Sequence, residues 1–377
     1  MKVEIEIGNT SPLEIENGAP SLNLVLKDLE VIPSKEEQIF NHLDSNGYDE
    51  VKIKGIPEEY IIPEGESNIT KNGSYDVTSK SKVNVDVKSV EINDASYLFY
   101  YGSRLEKKDE IISLLKNITK TSYMYANSGL TEIDLSHLDT SQVTAMTCMF
   151  QFCSGLTEID LSHLDTSQVI SISDMFAWCS GLTEIDLSMW NTENLANMSS
   201  LFTQCEKLKS VNLENINTSK VKSMMNIFDS CKNLTTLDLT NFDTSSLENL
   251  SGSFRNCSKL TSLDISTWDL SKINVISSMF SSDSKLTNLK FGKNLGKGYN
   301  RNYSNYSSFT LDLSSCKLLT HESLMSVIDG LYDLNIKYNV ANGGTLYTQK
   351  LVLGSTNLAK LTEEEKAIAS NKGWVLS

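Results

Sequence analysis

The chain of 377 residues carries 48 acidic and 33 basic side chains, which gives a formal charge of −15. This charge argues against a nucleic-acid-binding role, because phosphate backbones require a positive surface. A hydrophobic fraction of 40% excludes global disorder, and the apolar runs are too short for a membrane-spanning helix. Residues 1–7 alternate apolar and acidic side chains, so we expect no signal peptide there.

Two small β modules are predicted at the N-terminus. Residues 1–62 read as short strands joined by Asn-Gly turns, and residues 63–90 as a second unit that ends in an alternating strand over 83–87. Residues 91–128 follow with helically spaced apolar positions between 96 and 121. They predict a degenerate N-terminal cap for the array that comes next.

Residues 129–292 repeat with a period of 26 residues. At this interval a Phe recurs from Phe150 to Phe280, a Cys from Cys153 to Cys257 and a Leu from Leu130 to Leu286. A unit of this length cannot bury its apolar face alone, but it can do so by stacking on its neighbours. The repeat therefore predicts an α/β solenoid with one parallel sheet.

Each unit divides into a strand and a helical stretch. In the first unit Leu130, Ile133 and Leu135 are spaced as in a short strand, and the run 139–141 (Asp-Thr-Ser) offers side chains that cap a helix start. The apolar positions that follow are spaced as on one helical face, and left-handed residues near the next strand would end the helix. The helical positions are Val143, Met146, Met149 and Phe150, and the expected left-handed residues are Gly155, Gly181 and Asn233.

Residues 293–377 predict an α/β cap at the C-terminal end of the array. The pattern favours strands near 309–313 and 346–353, with helices near 321–332 and 362–371. Thr362 and Glu365 have the spacing of a capping box at the start of the last helix.

Motifs in three parts of the chain resemble known families. The Met-Phe-x-x-Cys and Leu-x-x-(Ile/Leu)-Asp-Leu-Ser motifs of residues 121–292 resemble the BspA-like leucine-rich repeats of bacterial and mycoplasma surface proteins. The segments 319–324, 357–362 and 372–374 are similar to the closing module of such proteins from phages of Firmicutes. The front motifs, such as Ile32-Pro33-Ser34, Gly47-Tyr48-Asp49 and Asn72-Gly73-Ser74, resemble a module of phage tail and baseplate proteins.

This resemblance implies a structural protein of a phage tail, baseplate or head appendage, assembled in the host cytoplasm and located in the virion. Residues 1–90 are then expected to join other virion proteins, in a homo-oligomer. The repeats are expected to recognise a host-surface glycan or protein. The alternative is a bacterial cell-surface adhesin of the same repeat family.

The cysteines and histidines have structural explanations. Cysteines at equivalent positions predict a buried column of reduced thiols, because small apolar thiols suit a crowded interior. His137 and His163 lie three residues after Asp134 and Asp160, so a metal site is conceivable, but repetition alone explains the coincidence. The sequence has no catalytic motif, which predicts a non-enzyme without cofactor or metal.

The charge distribution indicates one candidate binding surface. Residues 121–206 contain no Lys or Arg but 11 Asp or Glu. The acids that flank the inward Ile of each strand are expected on the open face of the sheet. This face is either a solvated surface or a site for a cationic or hydroxyl-rich partner or a bridging divalent cation. The candidate residues are Glu132, Asp134, Glu158, Asp160, Glu184 and Asp186.

Overall fold

The computed structural model describes residues 90–96, 115–136, 138–299, 309–335 and 349–377, together with five short strands nearer the N-terminus. Strand β1 (Val3–Ile5) pairs antiparallel with β2 (Leu13–Ile15). A second sheet has the strand order β5-β4-β3-β6-β7. Its strands are β3 (Asn23–Leu26), β4 (Glu50–Lys54), β5 (Ser74–Asp76), β6 (Val90–Asp94) and β7 (Leu115–Lys120).

This sheet joins strands from all three segments that the sequence predicts before the repeats. The helical spacing expected over 96–121 is wrong at its C-terminal end, where Leu115–Lys120 is a strand paired with β6. An edge beside β6 offers backbone hydrogen bonds to an extended segment, and this tertiary pairing overrides local spacing. The remainder of that helix and the strand expected over 83–87 lie outside the described residues.

The repeats stack in parallel, one unit (here called a coil) on the next. Strand β8 (Glu184–Asp186) pairs parallel with β9 (Ser210–Asn212), and β10 (Ser262–Asp264) pairs parallel with β11 (Asn288–Lys290). A second line of parallel bridges joins residues that are 26 apart, from Ala145↔Ser171 to Asn249↔Val275. The α/β class with parallel strands and few helices fits a leucine-rich-repeat-like fold, as expected from the sequence.

The helical stretch predicted in each coil is wrong. In its place, alternate N–H groups donate to the next coil: Cys148 to the Ser173 carbonyl at 3.0 Å, and Phe150 to the Met175 carbonyl at 2.9 Å. An α-helix would instead direct these N–H groups to carbonyls four residues back in the same coil. The backbone is therefore a ladder of turns that ties each coil to its neighbour.

Left-handed residues keep the ladder from becoming a helix. Cys148 and Phe152 have φ of 57° and 62°, and the equivalent residues of later coils also have positive φ. None of the three residues expected to play this role has a positive φ: Gly155, Gly181 and Asn233. Gly181 serves close packing between coils, because an added Cβ would lie 2.6 Å from the Leu156 carbonyl oxygen.

The predicted helix-cap residues also bond between coils. The Thr140 hydroxyl donates to the Asp165 carbonyl at 2.9 Å, and Thr166 repeats this bond to Asn191 at 2.9 Å. Asp139 accepts the Ser141 N–H at 3.0 Å and closes a local turn. Small oxygen-bearing side chains satisfy backbone groups here, as expected, but in a turn between coils.

A ladder of aromatic rings forms the centre of the core. Adjacent rings are stacked with centroids between 5.4 and 6.0 Å apart, and all the phenylalanines in the ladder are at most 1% exposed. Because each coil contributes one ring at the same position, the stack buries a continuous apolar column that no single coil could form. The rings belong to Tyr125, Phe150, Phe176, Phe202, Phe228, Phe254 and Phe280.

The C-terminal part contains the helices and strands that the sequence predicts. This part has two longer helices, α1 (His321–Gly330) and α3 (Glu363–Asn371), and a parallel sheet of order β12-β13-β14. The capping box between Thr362 and Glu365 is confirmed. The strands are β12 (Phe309–Asp312), β13 (Gln349–Val352) and β14 (Val375–Leu376), and a short helix α2 (Gly354–Leu358) and strand β14 were not predicted.

Helix α1 covers the last strand of the stack. The Ser323 and Ser326 hydroxyls accept the N–H groups of Leu289 and Phe291, each at 2.9 Å. These bonds satisfy an edge that would otherwise remain open to another strand. Within the part of the chain that the structure describes, no helix is both long and apolar enough to cross a bilayer.

Candidate functional site

The predicted acidic surface is formed by equivalent positions of three successive coils. In β8, Glu184 and Asp186 are exposed on either side of Ile185, which is 4% exposed. The first two coils have the same arrangement without a regular strand, around the partly buried Ile133 and Ile159. The remaining four acids, Glu132, Asp134, Glu158 and Asp160, are all exposed.

The aspartates of this surface have a local structural role that the sequence did not indicate. Their Oδ1 atoms accept the backbone N–H of the residue two positions on, which closes a turn at the end of the strand segment. The distances are 2.9, 2.9 and 2.8 Å for Asp134, Asp160 and Asp186. Hydrogen bonds from the hydroxyl and the N–H of Ser162 lower the pKa of Asp160, and Ser188 does the same for Asp186.

A charge is not required for this turn. In the next coil Asn212 accepts the Glu214 N–H with its amide oxygen at 3.1 Å. The glutamates of the surface differ, since their side chains form no hydrogen bond with any of the described residues and are exposed to solvent: Glu132, Glu158 and Glu184. The surface thus combines fixed aspartates with glutamates that can adapt to a partner.

The charge around this surface is of one sign. No Lys or Arg occurs between Lys120 and Lys207, and the basic residues of the stack begin in the coil that follows. Neighbouring parallel strands lie about 4.8 Å apart, so stacked carboxylates raise the negative potential along the surface. The arrangement can attract cations.

The cysteine column lies in the interior, as the sequence predicts. Cys153, Cys179, Cys205, Cys231 and Cys257 are 0% exposed, and the structure contains no disulfide among the seven cysteines. Each of the five thiols donates to a backbone carbonyl of the preceding coil at 3.0–3.2 Å. Burial raises the pKa of the Cys205 thiol far above its usual range, so this group stays protonated and unreactive.

The histidines do not assemble a metal site among the described residues. The His163 Nε2 atom lies 3.9 Å from the Asp160 Oδ2 atom, and both side chains are exposed. His137 lies outside the described residues. The described part of the chain contains no group of three or more His, Cys, Asp or Glu side chains arranged to hold a metal ion.

Sequence reasoning missed two features that share the periodicity. Phe152 and Trp178 occupy one position in consecutive coils, and their exposed rings stack at 5.5 Å. Asp283 occupies the next position of the cysteine column after Cys257, in the interior at 1% exposure. Both could have been found by aligning the 26-residue units and asking which residues differ from the usual residue at their position.

Two solved structures match this chain at low sequence identity. A leucine-rich repeat protein from Bacteroides ovatus is 14% identical, covering 88% of this chain and 70% of that one at a TM-score of 0.24. TLR13, in its complex with ssRNA13, is 19% identical over 54% of this chain at a TM-score of 0.26, and the chain spans 30% of its length. No curated protein matches the sequence.

One family covers the repeats. The family described as "Mycoplasma protein of unknown function, DUF285" matches residues 94–211 and 196–316, which together make up more than half of the chain. These residues include every coil and the aromatic ladder described above. The chain therefore belongs to the DUF285 family.

Proposed function

We propose that this protein is a non-enzymatic recognition protein, a solenoid of 26-residue repeats whose acidic surface binds a partner. The observation that carries the proposal is the array of six exposed carboxylates on three successive coils, in a stretch without Lys or Arg. Repeat proteins bind by spreading many modest contacts along an extended surface. A cationic or hydroxyl-rich partner suits this array best.

The chemistry of the surface supports binding over catalysis. Catalytic carboxylates work as pairs whose unlike environments separate their pKa values. The carboxylates here repeat the same two solvent-exposed positions from coil to coil, and no carboxylate pair stands apart from the repeat. Exposed charges act through a field that salt screens, so binding should weaken above roughly 0.15 M salt, where the Debye length is about 8 Å.

Replacing Asp134, Asp160 and Asp186 together with Asn tests the acidic surface. The turns should survive, because Asn212 already forms the same turn. We expect adsorption of the purified protein to host cells to weaken about fivefold, since exposed ion pairs contribute about 0.2–1 kcal/mol each. Cell-bound protein would be measured against concentration at low salt.

A matched control removes the same number of charges elsewhere. Asp139, Asp165 and Asp243 are also exposed and accept the N–H group two residues on, at 3.0, 2.9 and 2.8 Å. Changing these three to Asn removes the same number of negative charges and should leave adsorption unchanged. Equal adsorption of both triple variants and the unaltered protein would mean that the acidic surface is only a solvated face.

We place this recognition protein in a phage particle, as part of a tail, baseplate or head appendage. The support is the resemblance of the front motifs to tail and baseplate modules, with residues 1–90 as the attachment segment. Mass spectrometry of purified particles is expected to detect the chain. Its presence in the bacterial envelope and absence from particles would contradict this assignment and favour a surface adhesin.

A further inference from the structure

An exposed aromatic pair lies within the acidic half of the stack. The rings of Phe152 and Trp178 are nearly parallel, with centroids 5.5 Å apart and planes inclined by 22°. Their side chains are 43% and 45% exposed, respectively. Phe150 and Phe176, two residues before them, are fully buried in the aromatic ladder. The chain therefore builds a second, external stack beside the internal one.

Packing does not explain this pair. Both residues adopt left-handed backbone conformations, with φ of 62° and 66°. Bulky side chains are disfavoured in this region of φ, where Asn and Gly are common. The equivalent positions in the later coils are polar: Gln204, Ser230, Asn256 and Ser282. Two aromatic residues thus occupy strained positions and remain half in water, where the rest of the stack uses polar side chains.

The electrostatic setting indicates what the pair contacts. Both aromatics lie within residues 121–206, which hold 11 acidic residues and no Lys or Arg. The face of an aromatic ring is the negative end of its quadrupole, and Trp is the best ring for holding a cation. Ring faces and carboxylates therefore favour the same kind of group, an ammonium or a guanidinium.

We infer that Phe152 and Trp178 form a platform that seats Lys or Arg side chains of a basic protein segment. The inference rests on the proposed function and specifies its partner chemistry. The carboxylates of the same acidic stretch attract the segment, and the rings give one of its cations a fixed place. Charge alone would hold such a segment without a defined position, whereas the platform makes its position specific.

Trp178 provides a direct optical probe of this contact. The other three tryptophans, Trp190, Trp268 and Trp374, are at most 4% exposed. A decalysine peptide added to the full-length chain at low salt should change the fluorescence of Trp178 and leave the buried indoles unaffected. The affinity would be measured in parallel from the anisotropy of a labelled decalysine peptide.

Two variants use residues that the chain itself places at this position. Gln204 and Ser230 occupy the equivalent position in later coils. The variants Trp178→Gln and Phe152→Ser should therefore fold. We expect Trp178→Gln to weaken decalysine binding at least fivefold and Phe152→Ser to weaken it less. The control Met189→Ser removes another exposed apolar side chain, 78% exposed, from the same acidic half and should change nothing.

The outcomes separate this inference from the proposed function. Unchanged decalysine affinity in Trp178→Gln overturns the platform, even if the triple Asp→Asn variant loses adsorption to cells. Chitohexaose that perturbs Trp178 when decalysine does not would assign the platform to neutral sugars and overturn the inference. It would also be overturned if sedimentation showed that the pair mediates self-association, lost in Trp178→Gln.

Discussion

Replacing Phe202 with Ala is expected to lower the free energy of unfolding by about 3–5 kcal/mol. The side chain is 0% exposed and its ring stacks on Phe176 at 5.8 Å and on Phe228 at 5.6 Å. Removal leaves a cavity in the middle of the ladder and ends both ring contacts. The effect should be large because neighbouring coils hold the site open and limit its collapse.

Urea denaturation followed by circular dichroism would measure this loss. Phe202→Leu should cost less, since it fills part of the cavity. Phe152→Ala is the matched control: it also removes one stacked ring, but one that is 43% exposed, and it should cost under about 1 kcal/mol. Similar midpoints for Phe202→Ala and Phe152→Ala would contradict a central role for the internal ladder.

Replacing Asp283 with Asn is expected to remove a pH dependence from the stability of the protein. Asp283 is 1% exposed, and its Oδ1 atom accepts the Cys257 N–H at 2.8 Å. Its Oδ2 atom is buried and has no hydrogen-bond partner among the described residues. Burial is the main cause that raises the pKa of this carboxyl to about 8; the nearby Asp229 carboxylate adds to the rise, and the hydrogen bond from Cys257 opposes it.

The direction of the effect follows from proton binding. An unfolded Asp has a pKa of about 3.9, so between about pH 4 and pH 8 the folded state holds a proton that the unfolded state has lost. Stability therefore falls as pH rises through this window and levels off above it. At about 1.4 kcal/mol per pKa unit, the loss over this window of about four units would be roughly 6 kcal/mol.

The thiols that face Asp283 do not titrate in this window, and the Asp229 carboxylate beside it is paired with a guanidinium. Asp229 is held by Arg255, whose Nε atom donates to Asp229 Oδ1 at 3.0 Å. Burial raises the pKa of the Cys316 thiol to about 12 and that of Cys257 well above its usual range. The urea concentration at the midpoint of unfolding should therefore be lower at pH 8.5 than at pH 5 in the unaltered protein. In Asp283→Asn the two midpoints should be nearly equal.

Asp243→Asn is a control, because the pKa of Asp243 is shifted in the opposite direction to that of Asp283. Hydrogen bonds from the N–H and hydroxyl of Ser245 lower the pKa of Asp243, so its small contribution is present above about pH 4 and is lost as pH falls below that. Removing it should not flatten the change between pH 5 and pH 8.5. Persistence of the full pH dependence in Asp283→Asn would show that another group is responsible.

The buried positions of each coil could be predicted from sequence, because the same apolar residue types recur at these positions from coil to coil. Phe176, Cys179 and Leu182 are all 0% exposed, at positions that recur every 26 residues. The C-terminal helices were also predictable, since Thr362 and Glu365 provide a local capping signal. In both cases the information lies in side-chain type and spacing along one chain segment.

The backbone of the coils could not be predicted in this way. Val143, Met146, Met149 and Phe150 are all buried, so their spacing does identify the inward face. It does not identify the carbonyl that each N–H group meets, and that partner lies 25 residues away for Phe150. The choice between a helix and an intercoil ladder is made by tertiary stacking, which spacing alone does not encode.

The candidate site was predictable in position but not in its local role. The alternation around Ile185 indicates that Glu184 and Asp186 are exposed, which the structure shows. That Asp186 closes a turn to Ser188 depends on the backbone angle at the strand end. The sequence did not indicate the platform at Trp178, because an aromatic residue at a repeated position is normally interpreted as part of the hydrophobic core.

The ladder between coils restricts how a gene of this kind can change in length. Each coil donates to the next with a fixed offset, as Met146 does to Ser171 and Ile172 to Asn197. A one-residue insertion would misalign the coil that contains it with its neighbours, whereas duplication or loss of a 26-codon segment restores the same contacts at the new junction. Related genes should therefore differ by whole coils, and single-residue insertions should be confined to the two ends of the array.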